Sequence, residues 1–306
     1  MIQRLNPRID IAFKKIFGVE ENKDLLISLI NSIVGPDDQV STVTLMNPYN
    51  VQNFKTDKLS ILDIKAHNQD GKLFNIEMQI TNEGDYSERA LYYWSKMYAQ
   101  QIRSGQKYNK LVKTIGIHIL NFSCINDDLY HHEFHIKDKD SNDRFFHHFE
   151  IHSLELQKFC SEDEQITDLV KKIQTSLDMW MTFLIRNDVL SANHLPPELD
   201  NDYLKKAITV LDVMNLDAVE REIYENREKF LMAEANGLEH QYTIGKAEGV
   251  EIGKAEGELN AKREMALEML QYNEPDAKIL KYAKLTQHEL DEIKAELNMK
   301  MTQIDH

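Results

Sequence analysis

Two short stretches of the 306-residue chain carry residue types suited to acid and metal chemistry. They are Ile61-Leu62-Asp63-Ile64-Lys65-Ala66 and Asn75-Ile76-Glu77-Met78-Gln79-Ile80. Each alternates polar with apolar residues, and in a strand alternate side chains share a face. Asp63, Lys65 and His67 therefore take one side of the first strand, and Leu62, Ile64 and Ala66 the other. On the second strand Asn75, Glu77 and Gln79 lie opposite to Phe74, Ile76, Met78 and Ile80. Asn68-Gln69-Asp70-Gly71 between them is a hairpin signal.

Loop length decides which residues meet, because a one-residue slip turns a whole strand over. A two-residue loop at Asp70-Gly71 sets Asp63 against Met78 and mixes polar with apolar on both faces. A three-residue loop, Gln69-Asp70-Gly71 with Gly71 left-handed in a bulge, pairs Asn68 with Lys72 instead. It sets Leu62 opposite Met78, Ile64 opposite Ile76, and Ala66 opposite Phe74. Asp63 then faces Glu77, and Lys65 faces Asn75. This second register is the expected one. Two directly opposed carboxylates repel, and a divalent cation is the simplest partner that offsets the repulsion. Mg²⁺ takes one or two carboxylates and keeps water and phosphate oxygens as further ligands. Such an ion serves phosphodiester hydrolysis. The other reading is a solvated sheet face of mixed charge, with Lys65 neutralising a neighbour.

The elements around the hairpin follow from hydrophobic periodicity. Residues 10–34 read as one amphipathic helix, with Ile11, Phe13, Ile16, Phe17, Leu25, Leu26, Leu29, Ile30 and Ile33 on its apolar side. Gly35-Pro36 stops it. Residues 40–49 alternate loosely, as a strand would. Tyr86 to Arg103 is helical, and Arg89 and Tyr93, four apart, share a face of it. There they either contact a phosphate or orient Glu77, or else serve packing and a surface ion pair. Leu111 to Phe122 is nearly all apolar, as a buried central strand should be. Extended segments follow near 130–136 and 145–156, and the pattern beyond 161 is helical, interrupted at Pro196-Pro197.

The tail holds an internal repeat. Ile-Gly-Lys-Ala-Glu-Gly occurs at 244–249 and 252–257, placing Gly245, Gly249, Gly253 and Gly257 four apart. Each glycine costs roughly 1 kcal/mol relative to alanine inside a helix, so a flexible or self-associating linker is expected. Lys278 to Tyr282 and Gln287 to Ile293, around Leu285-Thr286, resemble a short helix-turn-helix.

Composition narrows the class. With 42% apolar and 28% charged residues, the chain is neither collagen-like nor wholly disordered. No run approaches the ~18 to 20 apolar residues of a membrane helix, and no apolar stretch follows the basic residues at the start. Cys124 and Cys160 make no disulfide framework, so a cytoplasmic setting is expected. A net charge of -15 argues against a nucleic-acid partner on average. Residues 1–110, however, hold 14 Lys and Arg against 13 Asp and Glu, which leaves room for a basic surface there. His131, His132, His135, His147, His148 and His152 lack partnering cysteines at zinc-site spacing, and structural or surface roles are expected. GKAEG lacks the strand–loop–helix setting of a phosphate loop.

Several of these residues recur in a known order. Asp10-Ile-Ala-Phe-Lys-Lys-Ile-Phe17, Leu62-Asp63-Ile64, Asn75-Ile-Glu77-Met-Gln79, Arg89 with Tyr92-Tyr93, Tyr108, and Glu155-Leu-Gln-Lys-Phe159 follow one another. The set resembles the Rpn family of recombination-promoting nucleases and transposases, a branch of the PD-(D/E)XK nuclease superfamily. The resemblance implies an α/β, restriction-endonuclease-like fold: a mixed central sheet flanked by helices, with a helical C-terminal extension. It divides the chain into a core over 1–160, a helical extension over 161–235 and a glycine-repeat tail over 236–306. It implies a DNA endonuclease using Mg²⁺, with Mn²⁺ as a substitute, and Asp63 and Glu77 as the metal-binding acids. Gln79 falls where the superfamily usually has lysine, and Asp10 on an acid often supplied by the first helix. Glutamine cannot carry lysine's charge, and Lys65, on the same face near Glu77, is expected to supply it. DNA is the implied partner, and a homodimer through the C-terminal helices would suit double-strand cutting. The alternative is a nuclease-fold protein acting as an interaction or regulatory module through its acidic helical half.

Overall fold

The computed structural model describes residues 4–47, 64–81, 84–161 and 164–304. The first helical run is two helices, α1 (Asp10–Phe17) and α2 (Lys23–Ile33), not the single helix expected over 10–34. The break falls at Gly18, whose N–H closes on the Lys14 carbonyl at 2.7 Å before a 3₁₀ turn at Glu20–Asn22. A Cβ at Gly18 would stand 2.8 Å from the Lys14 carbonyl oxygen and 3.3 Å from Ile64 Cγ1. The missing side chain thus lets the end of α1 sit directly on the sheet.

The strands are β1 (Val43–Leu45), β2 (Ile64–Asn68), β3 (Leu73–Gln79), β4 (Thr114–Leu120), β5 (His131–Lys137) and β6 (Arg144–Glu155). They form a mixed sheet in the order β1-β2-β3-β4-β6-β5. β3, β4 and β6 run parallel, and the outer pairs are antiparallel. Parallel neighbours need a crossover, and α3 (Tyr86–Ala99) provides it between β3 and β4. The β2–β3 pairing is the expected register: Ile64 opposite Ile76, Lys65 opposite Asn75, Ala66 opposite Phe74. Gly71 has φ 80° and its N–H donates to the Asn68 carbonyl at 3.1 Å, while Asn68 N–H donates to the Lys72 carbonyl at 3.1 Å.

One face of the sheet is the main core. Ile64, Ala66, Phe74, Ile76, Ile115, Ile117, Ile119 and Leu154 lie buried there with Phe13, Phe17 and Leu26 of the first two helices. α4 (Ser176–Arg186) and α5 (Asp202–Val213) join the same core through Trp180, Phe183, Leu204 and Ile208. Burying each such side chain contributes about 1.5–3 kcal/mol. Thr175 and Asp178 start α4 with a reciprocal capping box. The other face, bearing Lys65, Asn75, Glu77, Gln79 and His118, is polar at its centre.

Residues 1–231 form one compact unit and 232–306 a second. The glycine repeat is not an irregular linker: it lies within α6 (Ala218–Gln271). The Lys, Ala and Glu between the glycines are strong helix formers and offset part of their cost. The expected tail helices are present and longer, α7 (Asp276–Ala283) and α8 (Gln287–Ile304). They enclose a small core of Ala266, Ile279, Ala283, Leu285, Leu290 and Ile293. Among the described residues no helix is long and apolar enough to cross a membrane.

Gly18→Ala should lower unfolding stability by about 1–3 kcal/mol, because the new methyl meets backbone rather than a yielding side chain. Urea denaturation of the purified chain measures it, and an unchanged midpoint would refute the close-packing argument.

Candidate active site

β3 lies between two hydrogen-bonded neighbours, so every one of its side chains must go to one face or the other. Ile76 and Met78 fill the core, which leaves Asn75, Glu77 and Gln79 together on the second face. The Glu77 side chain is only 13% exposed. Asn75 Nδ2 donates to Glu77 Oε1 at 2.5 Å. On β4, His118 stands directly beside Glu77, its Nδ1 3.7 Å from Glu77 Oε2. Burial pushes the Glu77 carboxyl above the ordinary glutamate value of 4.5. The hydrogen bond from Asn75 and the charges of Arg89 and Lys65 act in the opposite direction.

Lys65 and Arg89 thus both act electrostatically on the Glu77 carboxyl. Lys65 comes from β2, opposite Asn75, and its backbone N–H is held by Asn47 Oδ1 at 2.8 Å. Gln79 occupies the same face one pleat beyond Glu77, paired with Leu120. Tyr93, one turn after Arg89 on α3, is half-buried and meets Tyr92 edge-on at 5.4 Å. Asp10 begins α1, where its carboxylate accepts from Ile11 N–H at 2.7 Å and pairs with Arg227 Nε at 3.1 Å. Burial raises its pKa even so, against the Arg227 charge. Ile80 packs with Ile9, Ile11 and Ala12, so the start of α1 lies beside the end of β3. Asp63 lies outside the described residues. The last described pair of the ladder, Ile64 with Ile76, is one step short of it.

His118 was not singled out by the sequence reading, although it is the one ionisable side chain in the run Thr114 to Leu120. Its Nδ1 is buried and lacks a hydrogen-bond partner, as does Asn75 Oδ1. Burial, reinforced by His152, holds the ring's pKa down to about 4, so it is neutral at neutral pH. The Tyr86 ring stands edge-on to it at 5.6 Å.

The model of the PD-(D/E)XK nuclease family transposases matches residues 7–241. The chain belongs to that family. No curated protein and no solved structure matches it. The matched span includes the sheet, the polar face and α1 through α5, and the mixed sheet flanked by helices is the fold the family implies.

Elsewhere among the described residues, a second group of charged side chains forms a paired network. Lys113 Nζ lies 2.6 Å from both Asp38 Oδ2 and Glu150 Oε2, and Lys72 binds Asp38 at 2.8 Å. His152 joins Glu150 Oε1 at 3.0 Å and His131 at 3.0 Å. Burial works against the Glu150 charge, but His152 and Lys113 win and bring its pKa to about 2. Glu133, His135 and Glu150 bring possible metal-ligand atoms within 4.8 Å of one another. Cations already oppose both carboxylates there, Lys113 at Glu150 and Arg144 at Glu133. Glu155 is likewise structural: it is buried, accepts from the Cys124 and Ile125 amides, and pairs with Lys158 at 2.5 Å.

A carboxyl whose pKa is raised on folding holds its proton longer in the folded chain than in the unfolded one. Stability is therefore lost as pH rises from about 4.5 through the folded value. In chelator, Glu77→Gln should match the wild type near pH 4 and exceed it in melting temperature near pH 7. Thermal scans across that range test this, and a difference that is constant with pH would refute it.

Proposed function

We propose that the chain is a metal-dependent DNA endonuclease that hydrolyses phosphodiester bonds, in keeping with a family tied to mobile elements. The observation that carries the reading is the Glu77 carboxylate, its side chain 13% exposed on the polar face, with the charges of Arg89 and Lys65 acting on it. A buried carboxylate beside unpartnered oxygen and nitrogen donors, Asn75 Oδ1 and His118 Nδ1, suits a cation. Glu77 and Asp63 would hold Mg²⁺ or Mn²⁺, with Asp10 assisting from α1. When bound there, the ion would supply Lewis-acid activation of water and stabilisation of the leaving oxygen.

The chain's own residues would do the rest. Lys65 takes the part of the lysine replaced by Gln79, and Gln79 orients water through its amide. Arg89 and Tyr93, on α3, steady a DNA phosphate. A homodimer through the C-terminal helices would present one such site to each strand of a duplex.

A plasmid-cleavage assay with Mg²⁺ or Mn²⁺ tests the reading. Asp63→Ala and Glu77→Ala should each lower the rate on the order of 100-fold or more, as loss of a transition-state contact does. Equal rates in wild type and both variants would end it. Lys65→Ala should abolish cleavage while Mn²⁺ binding persists, and full activity in that variant would remove Lys65 from the mechanism.

A further inference from the structure

We infer that His118 Nδ1 is a further ligand of the cation held at Glu77, and that this site selects a first-row transition ion over Mg²⁺. The inference rests on reading Glu77 as a metal ligand, and it adds a residue and an ion preference to that reading.

The geometry comes from the parallel pairing of β3 and β4, which sets Glu77 and His118 side by side on one face. The 3.7 Å between Nδ1 and Oε2 is too long for a hydrogen bond. Two ligands each about 2.1 Å from one ion stand roughly 3 to 4 Å apart, which is the spacing seen here. The His118 side chain is 2% exposed, and its Nδ1 has no hydrogen-bond partner. An orphaned buried nitrogen is costly unless something binds it.

The ring is also held in place. Tyr86 stands edge-on to it, and Gly116 leaves room for it: a Cβ at Gly116 would lie 3.1 Å from His118 Nε2. Asn75, the residue paired with Gly116, holds the other Glu77 oxygen, Oε1, leaving Oε2 turned toward the imidazole. Mg²⁺ prefers an all-oxygen shell, whereas imidazole favours transition ions. A mixed Glu–His pair therefore shifts the preference toward ions such as Mn²⁺.

The test adds one equivalent of Mn²⁺ to the full chain and measures nitrogen hyperfine coupling by pulsed electron paramagnetic resonance. Wild type should show histidine coupling. His118→Gln should lose that coupling, bind Mn²⁺ about 10- to 100-fold more weakly, and lose preference for Mn²⁺ over Mg²⁺. No coupling in wild type, coupling unchanged in His118→Gln, or no Mn²⁺ binding would each overturn the inference. Should His118→Gln fail to fold, anomalous diffraction from a wild-type crystal with Mn²⁺ decides. A peak within about 2.5 Å of Nδ1 supports the assignment, and a peak only at Glu133, His135 and Glu150 refutes it. Cleavage that depends on Asp63 and Glu77 but shows no nitrogen coupling leaves the nuclease reading standing and removes this one. Coupling without any cleavage does the reverse.

Discussion

Glu77 is a carboxylate in the middle of a sheet, with strands bonded on both sides of its own. Removing such a group from water carries a penalty of several kcal/mol for the charged form. Its immediate surroundings meet only part of that penalty, through the Asn75 amide and the charges of Lys65 and Arg89. The position is not negotiable, because β3 alternates and its neighbours Ile76 and Met78 are committed to the core. Packing on one face thus dictates where the acid stands on the other.

A contrast within the same sheet gives this meaning. The Asp38–Lys72–Lys113–Glu150–His152 network is as deeply placed, yet each charge in it has an opposite charge or a hydrogen bond at contact distance. It holds strand ends and β6 together, and at its margin His135 Nδ1, 3.8 Å from Glu150 Oε2, is left without a hydrogen-bond partner. Around Glu77 the balance is incomplete: Asn75 Oδ1 and His118 Nδ1 are orphaned within the same cluster. Buried polar atoms are rarely left so without a functional reason, and in a PD-(D/E)XK nuclease family transposase the acid on this strand is where one would look.

Much of this was legible in the residues. Strict alternation on both strands and a glycine at the one place needing positive φ left a single sensible hairpin register, and the structure has it. The apolar run over β4 announced a central strand. The break at Gly18 was not legible, since apolar spacing continues across it and part of the crowding there comes from Ile64, distant in the chain. The Arg227 partner of Asp10 was hidden for the same reason. His118 escaped notice because a lone histidine in an apolar strand looks like filler until the strand beside it is known. The continuity of α6 through five glycines shows local propensity summed over neighbours outweighing single poor residues.

The turn at Gln69-Asp70-Gly71 has a consequence for how such chains can vary. Asn68 Oδ1 accepts from the amides of both Asp70 and Lys72, clamping the loop at three residues. A one-residue slip of the pairing held by this clamp would turn β2 over, sending Lys65 into the hydrocarbon interior and Ala66 out toward Glu77. A loop that changes length must keep this pairing if Lys65 is to share a face with the acid.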